Sequence, residues 1–198
     1  IQGTGCSQEN HNLTADSGNA KYIVPLSAGD MMGNYFIVDS TSFTMTSIDA
    51  QFYHIGSAPS SYNVRAKVYS YRNGEPDQLL WQGNWEAASA DTHNFTLSQP
   101  ITLKKDNLFF VMIESQSDMS CPDQNNCFAI LTDDGLNPSL NSGLIWDNDQ
   151  STWNALGLSA MITPKGCQAT ELRYDSHTAS PASPSPGDSV SLTITLAN

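Results

Sequence analysis

The sequence contains few basic residues, and this scarcity excludes several classes of partner. Eight lysines and arginines stand against 20 aspartates and glutamates, so the formal net charge at pH 7 is −12. A protein that binds nucleic acid or an anionic membrane needs a basic patch to offset the phosphate charge. The eight cations are instead scattered along the chain. We therefore expect neither nucleic acid nor a membrane surface as a partner.

Long apolar runs and helical periodicity are also missing. No stretch approaches the roughly 20 apolar residues of a membrane-spanning helix. The one short helix candidate, residues 86–91, carries no apolar stripe. Short apolar segments instead alternate with turn residues along most of the chain, a pattern that is typical of an all-β domain.

Recognisable catalytic motifs are absent as well. The four histidines do not form HExxH or another closely spaced pair, and no GxSxG segment is present. Paired carboxylates across a cleft would suit a glycosidase, but in a chain with 20 acidic residues such pairs arise by chance. We therefore expect that the protein is not an enzyme.

The four cysteines predict two disulfides. Cys121 and Cys127 bracket a short polar loop, whereas Cys6 and Cys167 lie far apart, near the two ends of the main segment. This spacing favours a Cys121–Cys127 staple and a Cys6–Cys167 clasp over the other possible pairings. A zinc site is the alternative, but it needs CxxC or Cys/His pairs at ligand spacing. Since disulfides form in oxidising compartments, we expect a secreted or cell-surface protein.

The segment that predicts the centre of the fold is Leu108–Ser115. It is apolar on both faces, which indicates a strand covered on both sides. A buried helix is the alternative, but the segment is short and turn residues bound it. Residues 62–71 alternate instead, with Val64 and Val68 on one face and Arg65 and Tyr69 on the other. This second segment predicts a half-buried strand.

The remaining pattern predicts the fold class. Residues 43–55 change parity between Met45 and Ile48, which indicates a β-bulge. The number of short strands, together with the bulge, favours a jelly roll over a seven-stranded immunoglobulin fold. We therefore predict an all-β, disulfide-clasped antiparallel β-sandwich that is jelly-roll-like.

Composition divides the chain into three parts. Residues 1–175 contain the predicted sandwich, and residues 176–188 form a Pro/Ser-rich linker. In residues 189–198 apolar side chains alternate with Ser and Thr, which predicts a strand. This strand either docks on the sandwich or begins a second domain. One strand alone buries too little surface to be stable, so one of these two must hold, and we favour the second domain.

Aromatic side chains are the candidate ligand contacts. Sugars stack their apolar faces on flat rings while neighbouring polar groups hold the hydroxyls. We expect Trp81 and Trp146, which follow leucine and isoleucine, to be core or loop-packing residues, and packing remains an alternative for the other two tryptophans. The candidates are Tyr69, Tyr71, Arg65, Trp85 and Trp153.

Two acidic turns are the candidate metal ligands. Calcium takes six to eight oxygen ligands, many of them from loops. The Asp147–Asp149 turn lacks the glycine and the trailing glutamate of an EF-hand loop, and metal-free Asx turns are the alternative for both turns. We expect no cofactor other than a single structural calcium, and the choice between calcium and Asx turns stays open. The candidate ligands are Asp133, Asp134, Asp147 and Asp149.

Two resemblances emerge from these segments. Residues 186–198, PGDSVSLTITLAN, resemble the opening strand of the immunoglobulin-like modules repeated in bacterial surface and secreted proteins. The apolar skeleton of residues 35–163, including Trp146 and Trp153, resembles the β-sandwich accessory domains of large secreted bacterial proteins, notably peptidases and adhesin-like proteins. These resemblances imply a non-catalytic module that binds, spaces or stabilises.

The sequence thus predicts an extracellular accessory module within a larger bacterial protein. The first hypothesis is a module that binds a glycan or the surface of another extracellular protein. The alternative is a structural spacer or assembly domain that positions a neighbouring catalytic or adhesive domain of the same polypeptide.

Overall fold

The computed structural model describes residues 11–39, 42–123, 125–134, 143–168, 173–180 and 191–197. All regular structure within these ranges is β-strand. In chain order the strands are β1 (His11–Asn12), β2 (Tyr22–Val24), β3 (Met31–Ile37), β4 (Ser42–Ile55), β5 (Ser61–Arg72), β6 (Glu75–Gln82), β7 (Glu86–Ser89), β8 (Asp91–Lys104), β9 (Leu108–Ser115), β10 (Cys127–Thr132), β11 (Gly143–Asp147), β12 (Thr152–Ala155), β13 (Ile162–Gln168), β14 (Arg173–Ser180) and β15 (Ser191–Ala197).

Two antiparallel sheets pack face to face and enclose the main core. The first sheet has the order β1-β13-β4-β10-β2, with β8 on the other edge of β4. The second sheet has the order β12-β11-β3-β9-β5-β6, with β7 also paired to β5. The chain crosses between the sheets repeatedly, from β3 to β4 to β5 and again from β8 to β9 to β10 to β11. This winding is that of a jelly roll, and the predicted antiparallel sandwich is confirmed.

Strand β9 lies inside the second sheet, where it pairs with β3 on one side and β5 on the other. Phe109, Val111 and Ile113 face the first sheet and belong to the main core. Phe110 and Met112 point to the opposite side of the same sheet and are nevertheless fully buried. The prediction of a strand covered on both faces is therefore confirmed.

The predicted bulge is present in β4. Its register against β8 shifts between Met45 and Ser47, where the apolar parity of the sequence changes. The helix candidate at residues 86–91 is not helical. Glu86–Ser89 instead forms β7, which pairs with the edge of β5. The edge of β5 offers backbone hydrogen-bond partners. A short segment without an apolar stripe reaches them only as an extended strand.

A buried amide fixes the middle of β3 against the segment that precedes β13. Asn34 donates from Nδ2 to the carbonyl oxygen of Ala160 at 2.7 Å and accepts the amide proton of Ala160 at 2.9 Å. Both residues are fully buried, so each polar group would lack water if the pair separated. This contact holds β3, which carries part of the site described below, in a fixed position.

The disulfide Cys121–Cys127 is present and closes the loop that precedes β10. It confirms the predicted staple and indicates an oxidising environment. Cys6 lies outside the described residues, so the Cys6–Cys167 clasp stays a prediction. Within the described ranges, no helix is long and apolar enough to cross a membrane.

Replacing both Cys121 and Cys127 by serine is expected to lower the free energy of unfolding by about 2 kcal/mol, because a disulfide that closes a short loop removes limited entropy from the unfolded chain. Urea unfolding of the variant and the parent protein measures the difference. An unchanged unfolding midpoint would show that the staple adds no stability to this loop.

The last two strands pair with each other. The register of β14 against β15 runs from Arg173 opposite Ala197 to Ser180 opposite Ser191. The sequence predicted a strand at residues 189–198, but it assigned residues 176–180 to the linker, and these belong to β14. The start of a second domain at residue 189 stays a prediction.

Candidate functional site

One row of side chains crosses the outer face of the second sheet, the face turned away from the first sheet. Cross-strand pairing joins Trp153 to Trp146, Trp146 to Met31, Met31 to Glu114, and Glu114 to Arg65. We call this set the Trp–Arg row. It spans β12, β11, β3, β9 and β5, and at about 4.8 Å per strand it is about 19 Å long. Trp146 and Trp153 form a ring pair with centroids 5.1 Å apart.

A second apolar cluster forms the floor of this face. Met31, Phe110 and Met112 are buried although they lie on the outer side of the sheet. Tyr71 stacks on Phe110 with ring centroids 5.6 Å apart, and Tyr35 meets Phe110 edge-on at 5.9 Å. Aromatic side chains thus cover the floor and leave a ring-lined surface toward solvent.

Three charged side chains lie within the aromatic surface. Glu114 Oε2 accepts hydrogen bonds from Arg65 Nε and from Lys67 Nζ, the latter at 2.8 Å. Only 20% of the Arg65 side chain, 10% of Lys67 and 11% of Glu114 is exposed. Burial raises the pKa of Glu114, but the hydrogen bonds from the two cations outweigh that effect and lower the pKa below its ordinary value. Glu114 is therefore charged at neutral pH.

The guanidinium of Arg65 also lies over the ring of Trp85, with Cζ 4.2 Å from the ring centroid. This is a cation–π contact, which an arginine makes well because its plane stacks on the indole. Trp85 immediately precedes β7, and β7 pairs with the start of β5. The pairing of β7 therefore brings the indole to the Arg65 end of the row.

Tyr69 and Lys67 both contact Met31 from β5. Tyr69 Oη donates weakly to Met31 Sδ at 3.8 Å, and Lys67 Nζ does so at 3.7 Å. Burial, with a smaller contribution from the negative charge of Glu114, raises the pKa of Tyr69. The tyrosine therefore stays a neutral hydroxyl, able to donate and accept hydrogen bonds.

The structure brings all five candidate ligand contacts to the outer side of the second sheet. Arg65, Tyr69 and Tyr71 lie there on one strand, as the alternation of β5 predicted. Their role as ligand contacts stays a prediction. Trp85 joins Arg65 at one edge, and Trp153 lies at the other edge.

Trp146 was expected to be a core or loop-packing residue, and it packs against the second apolar cluster, on the outer side of the second sheet. Ile145 packs against the main core, whereas its neighbours on β11, Leu144 and Trp146, pack against the outer cluster. Adjacent residues of a strand point to opposite faces. With Ile145 in the main core, the alternation along β11 therefore places Trp146 on the outer face. Trp81 packs against the main core, as expected.

The acidic turns are separate in the fold, since Asp133 and Asp134 follow β10 of the first sheet and Asp147 ends β11 of the second. Asp133 accepts the amide proton of Ser159 at 2.9 Å. Asp147 accepts the amide proton of Gln150, three residues on, at 2.9 Å, so its carboxylate closes the turn between β11 and β12. Over the described part of the chain, no three His, Cys, Asp or Glu side chains are grouped so as to hold a metal ion. Calcium at these turns stays a prediction.

Comparison with models of known protein families found no match, and no curated protein matches the sequence. The fold itself defines the class of the protein: a disulfide-bonded, antiparallel, jelly-roll-like β-sandwich.

Proposed function

We propose that the protein is a non-catalytic, secreted module that binds a glycan through the outer face of its second sheet. The observation that carries this proposal is the Trp–Arg row, with a tryptophan pair at one end and Arg65 on Trp85 at the other. Flat rings supply apolar area for the faces of sugar rings, and the charged groups between them supply partners for hydroxyls.

Several features favour a glycan over a small apolar molecule. The row is about 19 Å long, which suits an extended chain of sugars better than a compact ligand. Its rings are only partly exposed, and Lys67 and Glu114 lie among them. A surface of this kind offers stacking and hydrogen bonds side by side, as an oligosaccharide requires.

The setting of the proposal is a larger extracellular protein of bacterial type. The Cys121–Cys127 disulfide supports an oxidising environment, and the resemblance of the skeleton to bacterial accessory domains supports the rest. The Pro/Ser-rich residues 180–186 favour the alternative of a spacer that positions a neighbouring catalytic or adhesive domain, because such segments are semi-rigid.

Trp153→Ala and Trp85→Ala are each expected to weaken glycan binding by about tenfold or more. Aromatic side chains that become buried on binding commonly contribute most of the binding energy. Because both rings are partly exposed, the melting temperature should change by no more than a few degrees. Binding is measured by calorimetry with a glycan found on an array. Tyr22→Ala is the matched control, because Tyr22 is an aromatic residue on the first sheet with 44% exposure. Unchanged affinity in both tryptophan variants would remove this face as the binding site.

The array should be run with calcium and again with a chelator. Binding that disappears in chelator would place a metal in or near the site. A blank array in both conditions would favour the spacer, and a melting temperature unaffected by chelator would remove calcium as a structural requirement.

A further inference from the structure

Arg65 is held in place on two sides, and its outer nitrogens have no hydrogen-bond partner among the residues that the structure describes. Nε is bonded to Glu114, and the guanidinium lies over the Trp85 ring with Cζ 4.2 Å from its centroid. Among the described residues, no acceptor is bonded to Nη1 or Nη2. The side chain is therefore pre-oriented, so a ligand that meets it need not order a flexible arginine.

We infer that this guanidinium receives the carboxylate of an acidic sugar, such as a uronic acid, within the glycan of the proposed function. The inference rests on that function and names the ligand class for the same site. Two parallel N–H groups of an arginine match the two oxygens of a carboxylate, and such charge-assisted pairs are stronger than neutral hydrogen bonds.

The local charge agrees with a ligand that carries a negative group. Arg65 and Lys67 contribute two positive charges and Glu114 one negative charge, which leaves one positive charge in excess. The whole chain, however, has a net charge of −12 and repels a polyanion at long range. We therefore expect a largely neutral glycan with one or few carboxylates rather than a densely charged polymer.

The rest of the row favours a saccharide over an acidic peptide. Glu114 Oε1 has no hydrogen-bond donor among the described residues. It can therefore accept a hydroxyl of the ligand, next to the sugar carboxylate that Arg65 receives. Trp146 and Trp153 lie about 14–19 Å from Arg65 along the row, three and four strands away. A chain anchored by its acid on Arg65 can thus stack a second unit on the tryptophan pair.

The test uses pairs of oligosaccharides that differ only in whether the terminal residue is glucuronic acid or glucose. The wild-type protein is expected to bind the acidic member about 10–100-fold more tightly, as measured by calorimetry, since a charge-assisted hydrogen bond is lost with the neutral member. Arg65→Lys keeps the positive charge but loses the two parallel N–H groups. It should reduce the preference for the acidic member to a few-fold. Lys165→Gln, which removes a cation from the first sheet, should leave the preference unchanged.

The outcomes separate this inference from the function on which it rests. Equal affinity of the wild-type protein for both members overturns the inference and leaves glycan binding intact. No affinity for any member of the panel overturns both. If oligoglutamate competes as strongly as the acidic sugar, the saccharide assignment is wrong. The wild-type comparison does not depend on any variant, so a misfolded Arg65→Lys protein would not prevent a decision.

Discussion

Replacement of Glu114 by alanine is expected to lower the free energy of unfolding by about 3–5 kcal/mol. The substitution leaves Lys67 and Arg65 largely buried beside each other without their shared carboxylate. A buried ion pair adds little net stability when intact, but removal of one partner strands a desolvated charge. Denaturant unfolding of the variant and the parent protein gives the difference directly.

Asp77→Ala provides the matched control. Asp77 pairs with Arg72 at 3.9 Å at the edge of the same sheet, and the Arg72 side chain is 72% exposed. Exposed pairs of this kind contribute about 0–1 kcal/mol. If Glu114→Ala lowers the free energy of unfolding no more than Asp77→Ala does, the charges of the cluster around Glu114 are not desolvated in the folded protein.

The effect of Glu114 should also depend on pH. Because its pKa is lowered in the folded protein, the unfolded state binds a proton at higher pH than the folded state does. The stability that Glu114 contributes is therefore fully present above the ordinary range of glutamate, about pH 4.3, and is lost as the pH falls through the lower folded value. The stability difference between the parent protein and Glu114→Gln should be largest at pH 7 and shrink below pH 4.

Phe110→Ala is expected to destabilise the domain by about 3–5 kcal/mol, as much as a substitution in the main core. Phe110 lies on the solvent side of the second sheet, yet its side chain is fully buried under Tyr35 and Tyr71. Truncation would leave a cavity beneath these two rings. Thermal or denaturant unfolding measures the loss.

Tyr35→Ala is the comparison for this prediction. Tyr35 contacts the same cluster, but 37% of it is exposed, so its removal should cost far less. Equal losses for Phe110→Ala and Tyr35→Ala would mean that the aromatic cover over the floor is loose, and the rings would then be poor supports for a ligand.

Local sequence patterns were sufficient for much of the fold. Two apolar faces identified β9 as a strand covered on both sides, and a parity change located the bulge near Met45. The alternation of β5 likewise placed Arg65, Tyr69 and Tyr71 on one face. These features depend on neighbours along the chain, which is why a single sequence reveals them.

The rest of the site depends on register between distant strands. Met31 and Glu114 meet because β3 pairs with β9, and neither residue stands out in the sequence. Lys67 lies on the polar face of β5, where the alternation of the sequence gives it no special role, but its bond to Glu114 makes it part of a buried charge cluster. Cross-strand register is set by the whole core, so pattern reading along one strand does not predict it.

The four tryptophans allow a decisive measurement of where the ligand binds. Their indole N–H signals can be followed by NMR during titration with the oligosaccharide that binds most tightly on the array. We expect the signals of Trp85, Trp146 and Trp153 to shift, and that of Trp81, which packs against the main core, to stay unchanged. Saturable binding that leaves the three outer indoles unmoved would contradict the assignment of the binding face.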